Sequence, residues 1–139
     1  MYQKILLAAD GSEHSRRAAA EALKMAKVFK DASVTLLYVV DYEKARTEVQ
    51  HDKHSDEPHH YRRQLLLPLE EIFSSAGIPY ETTTLHGTPG PTIIKHANEN
   101  DYDVFFIGSR GLNSFQEMVL GSVSHKVAKR VHAPVVIVK

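Results

Sequence analysis

Cysteine is absent from the sequence, which excludes disulfides, thiol nucleophiles and cysteine-ligated metal and fits a reducing compartment. There is no surplus of either charge: Lys plus Arg and Asp plus Glu both number 17, so nothing favours electrostatic capture of nucleic acid or of an anionic membrane. Nor is there a long apolar run at the start. Ile5 to Ala9 spans five residues, too short for a signal peptide or a membrane span, and a soluble protein without an export signal is the expectation. Two familiar phosphate-binding patterns are missing as well: G-x-x-x-x-G-K-[ST] and, at the first turn, G-x-G-x-x-G. Aromatic residues make up only 8% of the 139, but hydrophobic residues make up 42%, enough to bury the core of one domain of ordinary size and not of two.

What is present alternates between two periods. Lys4-Ile5-Leu6-Leu7-Ala8-Ala9 reads as a strand stopped by Asp10-Gly11-Ser12, after which Ala18, Ala19, Ala22, Leu23, Ala26 and Phe29 recur at helical spacing. Ser33 to Val40 is a near-continuous β-branched and apolar run, as expected of a strand covered on both faces. Residues 41–60 turn polar and His-rich without a sustained period, and a long surface loop over 42–60 is expected. Tyr61, Leu65, Leu69, Ile72 and Ala76 mark a helical stripe ended by Gly77, with a kink predicted at Pro68. Tyr80 to Leu85 is a strand by propensity, followed by Gly87 as a turn, Thr88 as a helix N-cap and Pro89 at the first helical position. That helix runs to about Asn98, Asp103 to Ser109 forms a fourth strand, Ser122 to His132 a fourth helix, and Pro134 to Val138 a closing strand. Strands alternating with helices demand crossover connections. The expected fold is α/β: residues 1–139 as a single domain, an open doubly wound five-stranded parallel sheet with helices on both faces.

In such sheets ligands lie at the carboxyl ends of the strands, beside the point where strand order reverses. Three turns share that edge: Asp10-Gly11-Ser12, the end of the second strand at Val39 and Asp41, and a glycine loop after the fourth strand. The loop reads Gly108-Ser109-Arg110-Gly111, then nine residues, then Gly121-Ser122. Glycines let the backbone approach a phosphate closely, and the following helix N-terminus offers unpaired N–H donors and the positive end of its dipole. If the first and fourth strands are neighbours, a nucleotide can set its phosphates on Gly111, Gly121 and Ser122 while ribose and base lie towards Asp10 and Val39. An Asp carboxylate accepts from ribose hydroxyls, and a strand-end backbone can read an adenine edge.

Gly108-x2-Gly111-x9-Gly121-Ser122 resembles the ATP-binding signature of the universal stress protein family. The opening through Asp10-Gly11-Ser12, Leu36-Leu37-Tyr38-Val39-Val40, Gly87-Thr88-Pro89 and the ending Ala133-Pro134-Val135-Val136-Ile137-Val138 extend the likeness over all but roughly residues 42–60. The resemblance implies ATP, with Mg²⁺, as ligand. It implies Asp10 and Val39 at the ribose and base, Gly108, Gly111, Gly121 and Ser122 at the phosphates, Ala8 and Gly87 lining the same cleft, and Arg110 and Ser124 as phosphate neighbours. It also implies a cytoplasmic protein of stress survival or regulation, and a homodimer paired through Val135 to Val138, an apolar edge strand that wants a partner.

Each position has a plainer alternative. Gly108 and Gly111 can serve only a tight turn, Gly121-Ser122 only a helix start, Asp10 only its own turn, and Arg110 can be a solvated loop cation. His51, His54, His59 and His60, with Asp52, Asp56 and Glu57, suggest metal binding, but a surface loop rarely fixes four ligands, and a solvated segment is the expectation. His125, Lys126, Lys129, Arg130 and His132 complement the dipole of the last helix and receive no function. Phosphoryl transfer needs a metal bridge and an oriented nucleophile; the sequence offers a phosphate cradle and one carboxylate, and no general base. A nucleotide-responsive binding module with little or no hydrolysis is therefore expected. A nucleotide-independent interaction protein and a weak ATPase are the alternatives.

Overall fold

Side chains in a strand alternate between the two faces of a sheet, and here both faces are covered. The computed structural model describes residues 2–41, 58–110 and 121–139, apart from the side chains of 58–61. Its elements run β1 (Lys4–Ala8), α1 (Glu13–Val28), β2 (Ser33–Val40), α2 (Pro58–Ser75), β3 (Tyr80–His86), α3 (Pro89–Glu99), β4 (Val104–Gly108), α4 (Ser122–Arg130) and β5 (Val135–Val138). The five strands form one sheet in the order β3-β2-β1-β4-β5, and every pairing is parallel. Strand order thus reverses between β1 and β4, which are neighbours as the site argument requires.

Ile5, Leu7, Val34, Leu36, Val104 and Phe106 face α1 and α2, packing on Ala18, Ala19, Ala22 and Ala26 of α1 and on Leu66, Leu69 and Phe73 of α2. The alternate positions Leu6, Leu37, Phe105 and Ile107 face α3 and α4 through Ile93, Ala97, Val127 and Val131. The alanine stripe brings α1 very near the sheet: a Cβ at Gly108 would lie 2.7 Å from His14 Cβ and 2.8 Å from its carbonyl carbon. Ser12 fixes the start of α1, its hydroxyl accepting the N–H of Ser15 at 3.1 Å.

The α/β class and the strand assignments agree with the sequence. The second helix differs. It starts at Pro58, so the expected 42–60 loop is shorter by its last residues, and His59 and His60 fall in a helical turn. Pro68 lies inside this helix without ending it, held by the burial of Leu66, Leu69 and Phe73 on either side. Those three residues form the buried stripe, so the core face is centred beside the predicted Tyr61, Leu65, Leu69, Ile72 and Ala76 row, and Leu65 is turned away from its centre. The loop histidines His51 and His54, with Asp52, Asp56 and Glu57, lie outside the described residues, as does Gly111.

Candidate functional site

At the carboxyl ends of β1, β2 and β4 the structure opens a cleft of about 520 Å³, within the size range of small-molecule sites. Ala8 and Asp10 line it from β1, Val39 and Asp41 from β2, Gly108 and Arg110 from β4, and Gly121, Ser122 and Ser124 from the start of α4. Eight of the ten candidate binding residues from the sequence, all of these but Asp41, thus meet in one place. Gly87 is not part of the lining. Its φ of +149° and a Cβ position 2.6 Å from Thr92 Oγ1 make it the turn that delivers Thr88, which is. The sequence motif located that turn one residue short of the wall.

Asp10 sits at the β1 end with one carboxylate oxygen already engaged, Oδ1 accepting the N–H of Ser12 at 2.9 Å. This is the turn-organising role in part; among the described residues Oδ2 has no protein partner. Between them Gly11 has φ +80°, and a Cβ there would meet Leu65 Cδ2 at 2.6 Å. Only glycine fits, and the close approach lets Leu65 form an apolar part of the wall.

Backbone alternation explains the β2 wall. The N–H of Ala9 donates to the carbonyl of Leu37 at 2.9 Å, and the N–H of Gly87 donates to the carbonyl of Val40 at 2.9 Å. Odd-numbered residues of β2 therefore direct their polar groups towards β1, and even-numbered ones towards β3. β1 ends at the Ala8–Leu37 pairing. The N–H and C=O of Val39 face the space beyond that end, a donor and an acceptor side by side on the cleft.

Three helix N-termini reach the cleft, and they differ. That of α1 is capped by Ser12. That of α3 carries Pro89 and Pro91, with no N–H on either, so within its first three residues only Gly90 keeps a donor. That of α4 has Gly121 at the cap and no side-chain cap bond; its first intrahelical bond is from His125 N–H to Gly121 C=O at 2.9 Å. The N–H groups of Ser122, Val123 and Ser124 are left without an intrahelical acceptor. The cleft therefore concentrates its anion-binding capacity at α4.

Gly121 is held against β4 by its N–H to Ser109 C=O at 2.8 Å, and a Cβ there would stand 3.3 Å from that same oxygen and 3.4 Å from Arg110 Cα. Ser124, expected as a phosphate neighbour, lines the cleft. Its buried hydroxyl donates to the carbonyl of Gly108 at 2.6 Å, which ties α4 to β4 and leaves its backbone N–H as the donor that can face a ligand. Lys126 was given no role from sequence, yet it lines the cleft. Its place one helical turn after Ser122, on the same face, was the available signal. Thr88, Pro89, Gly90 and Pro91 were likewise missed as wall residues.

The sequence model of the Universal stress protein family matches residues 1–139. Universal stress protein YxiE of Bacillus subtilis is 32% identical over 157 aligned positions, covering all of both chains. Among solved structures, the hypothetical protein MJ0577 superposes with a TM-score of 0.85 at 27% identity, covering 100% of this chain and 96% of that one. The universal stress protein of Archaeoglobus fulgidus solved in complex with dAMP superposes with a TM-score of 0.73 at 21% identity, covering 99% and 98%, a likeness of fold.

Proposed function

We propose that this chain, which belongs to the universal stress protein family, binds an adenine nucleotide, ATP with Mg²⁺, in the cleft at the β1–β4 reversal, and acts as a nucleotide-responsive regulatory module with little or no hydrolysis. The observation that carries the proposal is the pairing of two complementary features in one cleft: the open N-terminus of α4 for phosphates and the N–H and C=O of Val39, without a partner among the described residues, for a base. Adenine offers a ring nitrogen acceptor beside an exocyclic amino donor, the complement of that backbone pair, whereas guanine presents a donor and an acceptor in the opposite order. Asp10 Oδ2 accepts from ribose hydroxyls in this reading. The dAMP complex of the Archaeoglobus fulgidus protein supports an adenine nucleotide on the same fold.

No step of phosphoryl transfer is assigned. Bound Mg²⁺ would neutralise phosphate charge, and the chain's own groups hold and orient the ligand. In the same reading residues 1–139 form one domain, cytoplasmic and homodimeric through β5, whose half-buried Val135 to Val138 run along an edge of the sheet. Among the described residues no helix is long and apolar enough to cross a membrane. A second reading has one observation in its favour. Asp10, Gly108 and Ser124 all perform local structural tasks, as a nucleotide-independent interaction protein on this fold would also require.

Gly121→Val separates the two. A branched side chain so near Ser109 and Arg110 fills the approach to the α4 N–H groups while the backbone, at φ −59° and ψ 150°, accepts a β-branched residue. Loss of ATP binding in calorimetry with an unchanged circular dichroism spectrum is the expected result; undiminished affinity in the folded variant removes the glycine loop from the binding site.

A further inference from the structure

We propose that Lys126 is a specificity-determining residue of the cleft, supplying a cation for the phosphates beyond the first and so favouring a nucleoside triphosphate over a monophosphate; this rests on the nucleotide reading above. Lys126 shares the lining with Gly121 and Ser122. A helical side chain leans towards the N-terminus of its own helix, so the stem of Lys126 runs back towards the open end of α4. The structure shows where it passes: a Cβ at Gly90 would lie 3.4 Å from Lys126 Cδ. Gly90 is buried in the first turn of α3 and leaves the stem a bare backbone to lie on.

Charge distribution makes that position matter. Pro89 and Pro91 remove two donors from the α3 wall, so a phosphate chain growing past the three N–H groups of α4 meets only one backbone N–H, that of Gly90, among the first three residues of α3. Lys126 fills that gap with a mobile ammonium of three donors. Among the described residues no carboxylate pairs with it; Glu13 is taken by Arg17 and Glu21 by Lys24. A lysine on a cleft wall with no acidic partner among the described residues is available for an anion, and its charge grows in value with the number of phosphates.

The test is calorimetric titration of the full chain, at one fixed ionic strength, with adenosine, AMP and ATP plus Mg²⁺, comparing wild type with Lys126→Gln and Lys126→Arg. The side chain is exposed, so both variants are expected to fold as the wild type does. Lys126→Gln is expected to weaken ATP at least tenfold, AMP less than threefold and adenosine not at all, and Lys126→Arg to restore ATP. Equal losses for AMP and ATP, or none for ATP, would overturn the assignment while leaving the nucleotide site standing. Wild-type protein that binds none of the three ligands would overturn the site and the role of Lys126 together.

Discussion

Gly108 opens the glycine signature, yet the structure gives it a task that no ligand is needed to explain. In Gly108→Ala the new methyl group would sit 2.7 Å from His14 Cβ, 2.8 Å from its carbonyl carbon and 3.0 Å from its carbonyl oxygen. Relief requires α1 to move off the sheet by roughly 0.5–1 Å, because carbon contacts are comfortable only near 3.5–4.0 Å. Two of the three obstructing atoms are backbone, so a rotamer change cannot provide the space. Overpacking of this kind costs about 1–3 kcal/mol, and the lower chain entropy of alanine in the unfolded state offsets about 0.4–1 kcal/mol of it. A net loss of about 1–2 kcal/mol follows, a fall in Tm of roughly 5 °C for a chain of this length. Urea unfolding followed by circular dichroism, with the slope checked for constancy, measures it. A Gly108→Ala midpoint equal to or above that of wild type would refute the close approach of α1 to β4 and return Gly108 to a purely ligand-driven role.

Two other perturbations separate overlapping roles. Asp10→Asn keeps an oxygen to accept the Ser12 N–H but removes the carboxylate charge, so the turn is expected to persist while ATP affinity falls about tenfold or more, the scale of a hydrogen bond to a charged group; calorimetry beside a thermal melt reads both. At the opposite end of the sheet, His96 Nε2 lies 2.9 Å from the Tyr102 hydroxyl, and burial, then the charge of Lys4, push the His96 pKa below its ordinary value against Glu81 and Glu99. As pH falls through about 6.5 the unfolded chain takes up that proton before the folded one. Stability from this residue is therefore lost below that pH until His96 itself titrates, and wild type is expected to lose more Tm than His96→Gln between pH 7 and pH 5. Parallel curves would show that His96 does not carry the effect.

Strand positions were legible because four apolar runs read as buried strands and Tyr80 to Leu85 carries β propensity, and Ser33–Val40 was bounded to the residue. The cleft was legible because its glycines stand where two elements touch. α2 was harder: Leu65 and Leu66 are equally apolar, and only packing decides that Leu66 enters the core while Leu65 closes over Gly11. The tie from the Ser124 hydroxyl to Gly108 was not legible, because a serine three residues into a helix looks the same whether its hydroxyl meets a phosphate or a carbonyl of β4. Lys126 was missed because a lysine in a short helix has a ready explanation in the dipole, and its neighbour Gly90 is 36 residues away in sequence.

The central claim is that the cleft holds an adenine nucleotide without consuming it. Nucleotide-stripped wild-type protein titrated calorimetrically with ATP and Mg²⁺, and separately with GTP, followed by chromatography of the mixtures, tests it most directly. Saturable ATP binding, weaker GTP binding and no ADP above the level of a protein-free control are predicted; no heat at millimolar ATP, equal affinity for GTP, or steady ADP formation would contradict it.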